Sequence, residues 1–523
     1  MTDSIDFLRR RAKLLKRDFS RGDSQARARV HAVLPDADTL PHTQTLHVVA
    51  REKGAASWPQ LKLSIEIALL GRAERADRLK HALFIGQDRA VAALIDADPT
   101  LPSENFGLVC ATYDILSVRR TLAEDPNAAA RIVGVRRPIL HLAFSKHFKA
   151  RPDLEDAMIA VAEALVAAGA DVNDGYPAEP GSEHRLSALY GALGHAGNLR
   201  LAEWLLERGA NPNDHESLYH STELGHLDGL RLLMRHGVET RRTNALLRSL
   251  DFDDIDATRL LLDYGAVPDE TVPEHPSGQP VDTIPALHQA ARRGRDGRYV
   301  PLLLDHGADG RARWKGHSAY ALACMYGNTS FAEALIRHGL EAPLDATESA
   351  LAATARGEIP PGRPLATHAL SDEARLILTR IILREDDLRH AQCLVEAGID
   401  PNVADEMGMT PLHLAGWAGL PEHMAWLLGL DPDLEHVNGF GGDLIGSIVH
   451  GSENRLDVDR RDHARCAGLA LEAGARLTRT AVTRALHEDV AAVLADWADA
   501  HPDAMTHRLH QNRQPERRRE DGK

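Results

Sequence analysis

The sequence predicts an all-α fold, built from short helix-turn-helix units stacked side by side. Two observations carry this expectation. Apolar helices that stop at glycine recur along the chain, and the composition (43% apolar, 4% aromatic) suits helices rich in Ala and Leu rather than a β-sandwich. At 523 residues the chain also exceeds one ordinary core, so several domains or a repeating array is expected.

Residues 4–34 read as a helical pair. Phe7, Leu8, Leu14, Leu15 and Phe19 fall at helical spacing among Arg and Lys, and Arg21-Gly22-Asp23 marks the turn. Pro35, Asp36, Asp38 and Pro41 make a loop. Residues 43–66 then give a helix, a stop at Gly54, and a second helix opened by Ser57-Trp58-Pro59.

From residue 75 the unit recurs in degraded form. Its second helix ends at Gly169, Gly209, Gly237, Gly265, Gly307, Gly339, Gly398 and Gly474, often within Gly-Ala-Asp or Gly-Ala-Asn. A residue just past a helix end commonly turns left-handed, which glycine does without cost. The separations of 40, 28, 28, 42, 32, 59 and 76 residues give about twelve irregular units between residues 75 and 495, some lengthened by insertions. His236, His306 and His338 precede three of these glycines, where a cation favours the negative helix end by about 0.3–1 kcal/mol.

The best-formed copy spans Gly398–Asn438. Thr410 is placed to cap a helix that Pro411 opens, Gly419 ends it, and Pro421 opens the next, whose apolar face includes Leu427 and Leu428. Thr410-Pro411-Leu412-His413-Leu414-Ala415 matches the T-P-L-H-x-A signature of the ankyrin unit, whose period is about 33 residues. The chain therefore resembles the ankyrin-repeat proteins, and the resemblance implies a solenoid. Ala50, Arg51, Glu52, Gly54, Ser57, Trp58, Leu61 and Lys62 further resemble a segment found ahead of ankyrin repeats in many bacterial proteins. That segment implies no known chemistry; a cap shielding the first repeat is its expected role.

The expected organisation is a basic helical cap (1–72), a first sub-array (73–345), a Pro-rich insertion or seam (346–371), a second sub-array (372–499) and a disordered basic tail (500–523). Residues 271–285 carry four prolines and should project as a loop. Residues 451–463 lengthen the penultimate unit.

The net charge of −15 argues against a uniform nucleic-acid-binding surface. Local basic stretches lie at residues 9–29 and 508–519, so nucleic-acid or acidic-partner association through the two ends is the alternative expectation. The four cysteines, Cys110, Cys324, Cys393 and Cys466, form no C-x-x-C pair, which suits a reducing compartment. No secretory leader is visible, and the apolar run 157–170 is too short to span a membrane. A cytoplasmic protein is expected.

No constellation points to an enzyme, a cofactor or a metal. His215 and His220 are five residues apart and do not share a helix face as zinc-protease histidines do. Asn438-Gly439-Phe440-Gly441-Gly442 lacks the Lys-Ser/Thr of a phosphate loop and aligns with the turn at Asp405 and Gly408. Asp457, Asp459, Asp462 and His463 could hold a cation, but Arg455, Arg460 and Arg461 compete for the same carboxylates. An enzyme with scattered catalytic groups is the remaining alternative.

In ankyrin proteins, partners meet the inner surface, built from turn tips and exposed positions of first helices. One such row lies two residues before the glycine that ends the first helix: Phe84, His195, Glu223, Arg292, Met325 and Trp417. The tips add Arg311, Arg313, Trp314 and Lys315 in one turn, and Glu406, Met407 and Met409 in another. Trp and Arg are frequent hot-spot residues. The sequence thus predicts a non-catalytic protein-protein interaction module with an unidentified protein partner.

Overall fold

The computed structural model describes residues 4–270, 284–359, 365, 370–454, 460–485 and 487–501. The proline-rich loop expected at 271–285, most of the Ile359–Pro364 stretch, Asp457 and Asp459, and the basic tail at 508–519 lie largely or wholly outside them. The described chain is mostly helical. It carries two small antiparallel hairpins, pairing Gly175–Pro177 with Arg185–Ser187 and Arg313–Trp314 with His317–Ser318.

The pair at Thr410 shows how local sequence writes the fold. The Thr410 hydroxyl accepts the His413 N–H, Pro411 opens the helix Pro411–Ala418, and Gly419 closes it at φ +65°. The helix Pro421–Leu428 follows at once. The same grammar recurs elsewhere. Ser187 and Ser318 cap first helices, while Asn198, Asp254 and Asn328 cap the second helices that follow. All eight glycines expected to end second helices adopt positive φ.

Each pair packs on the next. Ala286–Arg292 lies against Ala319–Met325, which lies against Ala346–Ala355; Pro411–Ala418 lies against Leu444–Asn454. Neighbours on both sides bury the first helices Ala286–Arg292 and Pro411–Ala418 almost completely, and every residue from Pro411 to Gly416 is buried. One contiguous set of buried residues runs from Val109 to Leu494. Three smaller clusters serve the N-terminal part, and within them Leu8, Trp58 and Ile65 hold the helices Ile5–Ser20, His42–Glu52 and Trp58–Leu69 together.

One feature departs from the expected organisation and a second adds to it. Ala346–Ala355, placed in a proline-rich insertion or seam, is a helix with a complete capping box from Asp345 and Glu348. It packs on both Ala319–Met325 and Leu388–Glu396. The last two partners flank it as a preceding first helix and a following second helix, so the extra length lies inside one pair, at residues 356–387. The short helices Asp372–Arg375 and Ile377–Ile381 come from that insertion, and Ile377–Ile381 reaches Pro411–Ala418. The buried core continues through this region without a break. Second, the two ends of the described chain meet: His42–Glu52 packs against Glu488–Ala500, and Lys13 Nζ lies 3.4 Å from Asp496.

Among the described glycines, Gly451 leaves the least room for a side chain, because the Trp417 carbonyl fills the space. Gly451→Ala should destabilise the chain by roughly 1–3 kcal/mol in urea unfolding. Gly468→Ala, in a helix position open on all sides, should be neutral or stabilise by up to about 1 kcal/mol. Equal effects from both would show that this contact is not tightly packed.

Candidate interaction site

A cavity of about 350 Å³ opens where helices distant in sequence face one another. Ser217–Ser221 contributes Tyr219, and Ala245–Asp251 contributes Leu247, Arg248 and Asp251. Ala286–Arg292 and its end supply Gln289, Arg292 and Arg293. The inserted helix Ile377–Ile381 and its end supply Thr379, Arg380 and Leu383, and the turn before Pro411–Ala418 supplies Asp405, Glu406 and Met407.

Its floor is ionic. Glu373 is fully buried, and its Oε2 lies 3.4 Å from Arg292 and 3.3 Å from Arg380. The Tyr326 hydroxyl donates to Glu373 Oε1 at 2.5 Å. Burial, and then the charge of Glu373, holds the Tyr326 hydroxyl well above its ordinary pKa, so it stays a donor. Arg384 donates to the backbone carbonyls of Arg292 and Tyr326, tying the insertion to both helices.

From this floor a chain of polar contacts runs outward. Asp251 Oδ1 accepts from Gln289 Nε2 at 2.6 Å and lies 2.7 Å from Arg293 Nε. Arg248 lies 3.6 Å from Asp251 and donates to Glu223 at 2.7 Å. Glu223 meets His220 at 3.1 Å, His220 meets Glu216 at 2.9 Å, and Glu216 meets His184 at 2.6 Å. Burial opposes a charge on His220, but the hydrogen bonds and charges of Glu216 and Glu223 outweigh it and push the pKa up to about 9. Burial likewise raises Glu223, and His220 and Arg248 more than reverse it, leaving this carboxyl below its ordinary value.

The residues singled out from sequence fare unequally. Met407 is exposed and lines the cavity together with Arg292; Glu223 sits one contact behind it, through Arg248. Three expected contacts are buried instead. Met325 is 0% exposed, Arg292 5% and Trp314 6%. Met325 lies in a first helix covered by neighbours on both sides, and the insertion covers Arg292. Trp314 is held in its hairpin with Arg292 and Lys315 against its ring, at 5.2 and 4.4 Å. Arg311, Arg313 and Lys315 are exposed, and Arg313 donates to the Gly316 carbonyl. Trp417 is half-buried: its indole N–H donates to His450 Nδ1 at 3.3 Å, and its carbonyl meets His463 Nε2 at 3.0 Å. That is contact with the neighbouring pair.

Phe84 and His195, 111 residues apart, come together in a second cluster. The His195 ring lies 4.1 Å from Phe84 and 5.3 Å from Phe144. The Arg136 guanidinium covers the rings of Phe84, Phe144 and Tyr176 at 4.4–4.7 Å. The cluster is filled by the chain's own side chains. A cavity of about 570 Å³ near Asn173, His184 and Asp214 is also internally paired: Asp214 accepts from Ser187 and Ser217, and Asn173 bridges Gly209 and Asn211.

Sequence reasoning missed Arg248, Asp251, Gln289, Arg293, Glu373 and Arg380. Spacing offers a faint signal, since Arg248–Asp251 and Gln289–Arg292 are pairs three apart on one helix face. The pairing of Arg380 with Glu373 across an insertion leaves none. The Asn438 turn does reproduce the Asp405 turn: Asp405 Oδ1 accepts the Met407 and Met409 N–H groups, and Asn438 Oδ1 those of Phe440 and Gly442. Among the described residues, no group of three or more His, Cys, Asp or Glu could hold a metal ion. No described helix is long and apolar enough to cross a membrane.

No family model matches the chain, and no curated protein matches it. Among solved structures it is similar to the crystal structure of the human ASB11 ankyrin repeat domain. Identity is 22%, the alignment covers 46% of this chain and 100% of that one, and the TM-score is 0.35. At that score the likeness carries no weight.

Opposite histidine environments set a pH dependence. Burial pushes His141, His195, His288, His390 and His413 down to about 4. They therefore stabilise the fold above their unfolded value of about 6.5, and that contribution is lost as pH falls toward 4. His220 has the opposite sign: its contribution is complete below about 6.5 and lost as pH rises through 9. Urea midpoints should therefore decline on both sides of about pH 6.5, and His220→Gln should flatten only the alkaline limb. An alkaline limb unchanged in that variant would refute the assignment to His220.

Proposed function

We propose that the chain is an ankyrin-type solenoid of about twelve helix pairs, acting as a non-catalytic module that binds a protein partner. The partner meets the inner face formed by the first helices and turn tips. The observation that carries this reading is the cavity at Glu373, where residues from Tyr219 to Leu414 converge on one opening. Its rim offers apolar surface in Met407, 43% exposed, and Phe440, 77% exposed, lies on the adjoining turn. The two turns are joined by the Gly439 N–H donating to the Met407 carbonyl at 2.8 Å. An apolar rim around a polar centre suits protein recognition, in which a few anchors carry most of the energy.

The four thiols are not set up as catalytic nucleophiles. Burial pushes Cys110, Cys324, Cys393 and Cys466 up, whereas a nucleophilic cysteine needs a lowered value. Nucleic-acid association through the N-terminal helices is less favoured, because several of their cations already have acidic partners: Arg29 with Glu52, Arg17 with Asp18 and Lys13 with Asp496.

The test is affinity capture from the native cell extract with the wild-type chain and a Met407→Asp, Phe440→Asp double variant. Both substitutions lie at exposed positions, so circular dichroism and melting should match wild type. A protein captured by the wild type should be recovered at least tenfold less with the variant. Equal recovery would place the binding surface elsewhere.

A further inference from the structure

The cavity at Glu373 is lined by four guanidiniums and three carboxylates, and is rich in hydrogen-bond donors. Its four guanidiniums, Arg248, Arg292, Arg293 and Arg380, each carry five N–H groups and no acceptor. Asp251, Asp405 and Glu406 line the same space, with Glu223 and Glu373 just behind. Those carboxylates are shared with other donors. Glu373 also accepts from Tyr326, Asp251 from Gln289, Glu223 meets His220, and Asp405 is engaged by two backbone N–H groups.

Arg380 is the least satisfied member. Its contacts to Glu373 and Glu406, at 3.3 and 3.6 Å, exceed the 2.7–2.9 Å of a good charge-assisted bond. Its Nε is buried and has no hydrogen-bond partner. Arg293, 44% exposed on its side chain, lines the same opening and pairs with Asp251 at 2.7 Å.

We infer that this cavity receives a single carboxylate on an apolar stem, donated by an acidic side chain of the protein partner, and that Arg380 and Arg293 hold it. A cationic group would find Asp251, Asp405, Glu223 and Glu373 already engaged, and would have to sit among four guanidiniums. A phosphoryl dianion offers more acceptors, but it would bring twice the charge beside Asp405 and Glu406. Leu247, Leu383, Met407 and Leu414 supply the apolar wall for the stem. The volume of about 350 Å³ is at the small end of ligand pockets, as one side chain requires. The origin of the carboxylate rests on the proposed partner-binding role; the chemistry of the cavity does not.

Hexanoate tests that chemistry, with hexanamide and hexyl phosphate as its neutral and dianionic counterparts. Saturation-transfer NMR on the full-length chain at fixed ionic strength gives the three affinities. Hexanoate should bind at least tenfold more tightly than either counterpart, and Arg380→Met should weaken it at least tenfold. Arg293→Met, at a more exposed site, should do the same and serves if Arg380→Met fails to fold. Equal binding of hexanamide, tighter binding of hexyl phosphate, or hexanoate affinity unchanged in a folded variant would each overturn the inference. Failure here with successful capture by the wild type alone would leave the interaction role standing; the reverse would leave a carboxylate site without a protein partner.

Discussion

Two helices of six to ten residues cannot bury their apolar faces against each other alone. Much of the described chain follows from that constraint, because the pairs between Val109 and Leu494 complete their cores by lying against their neighbours. Short helices in isolation are marginal in water, so their order comes from the faces they share. The consequence is visible at Pro411–Ala418, buried along its length by partners on both sides. It is visible again in the buried set that runs from Val109 to Leu494. Polar groups enter this core mainly as linkers. His288 Nε2 reaches the His317 carbonyl, and His317 in turn meets Glu348 and Ser371.

The turns and helix ends were legible in the sequence because their determinants are local. A glycine past a helix end, a Thr-Pro opening and an Asx turn act within about five residues, and Gly419, Thr410 and Asp405 all behave as their neighbours dictate. The exposure of the inner row was not legible. Met325, Arg292 and Trp314 stand where a regular unit would present them, but what covers them is non-local: a neighbouring helix in the first case, an insertion in the second, a hairpin between two cations in the third. Glu373 and Arg380 were invisible for the same reason. Nothing within residues 356–387 announces that this stretch folds back to Arg292, some 80 positions earlier.

The insertion thus turns an interruption into a structural centre. By placing one carboxylate against two guanidiniums and a tyrosine hydroxyl, it joins the pairs around residues 292 and 326 to the turn at Glu406. Such buried ionic centres contribute little net stability, but removing one partner is costly. The meeting of the two ends of the described chain is of a different kind. Lys13 and Asp496 are both substantially exposed, and an exposed pair of this sort contributes about 0–1 kcal/mol. Closure there rests on packing between His42–Glu52 and Glu488–Ala500.

The central claim is that the inserted helix Ile377–Ile381 belongs to the same cooperative body as the helices it bridges. Native-state hydrogen exchange on the intact chain tests it directly, since amides in one cooperative unit share an opening free energy. Amides of residues 377–381 should exchange as slowly as those of 287–292 and 412–418. Rapid exchange of 377–381 while both flanking helices stay protected would show that the insertion opens on its own, and would contradict the account.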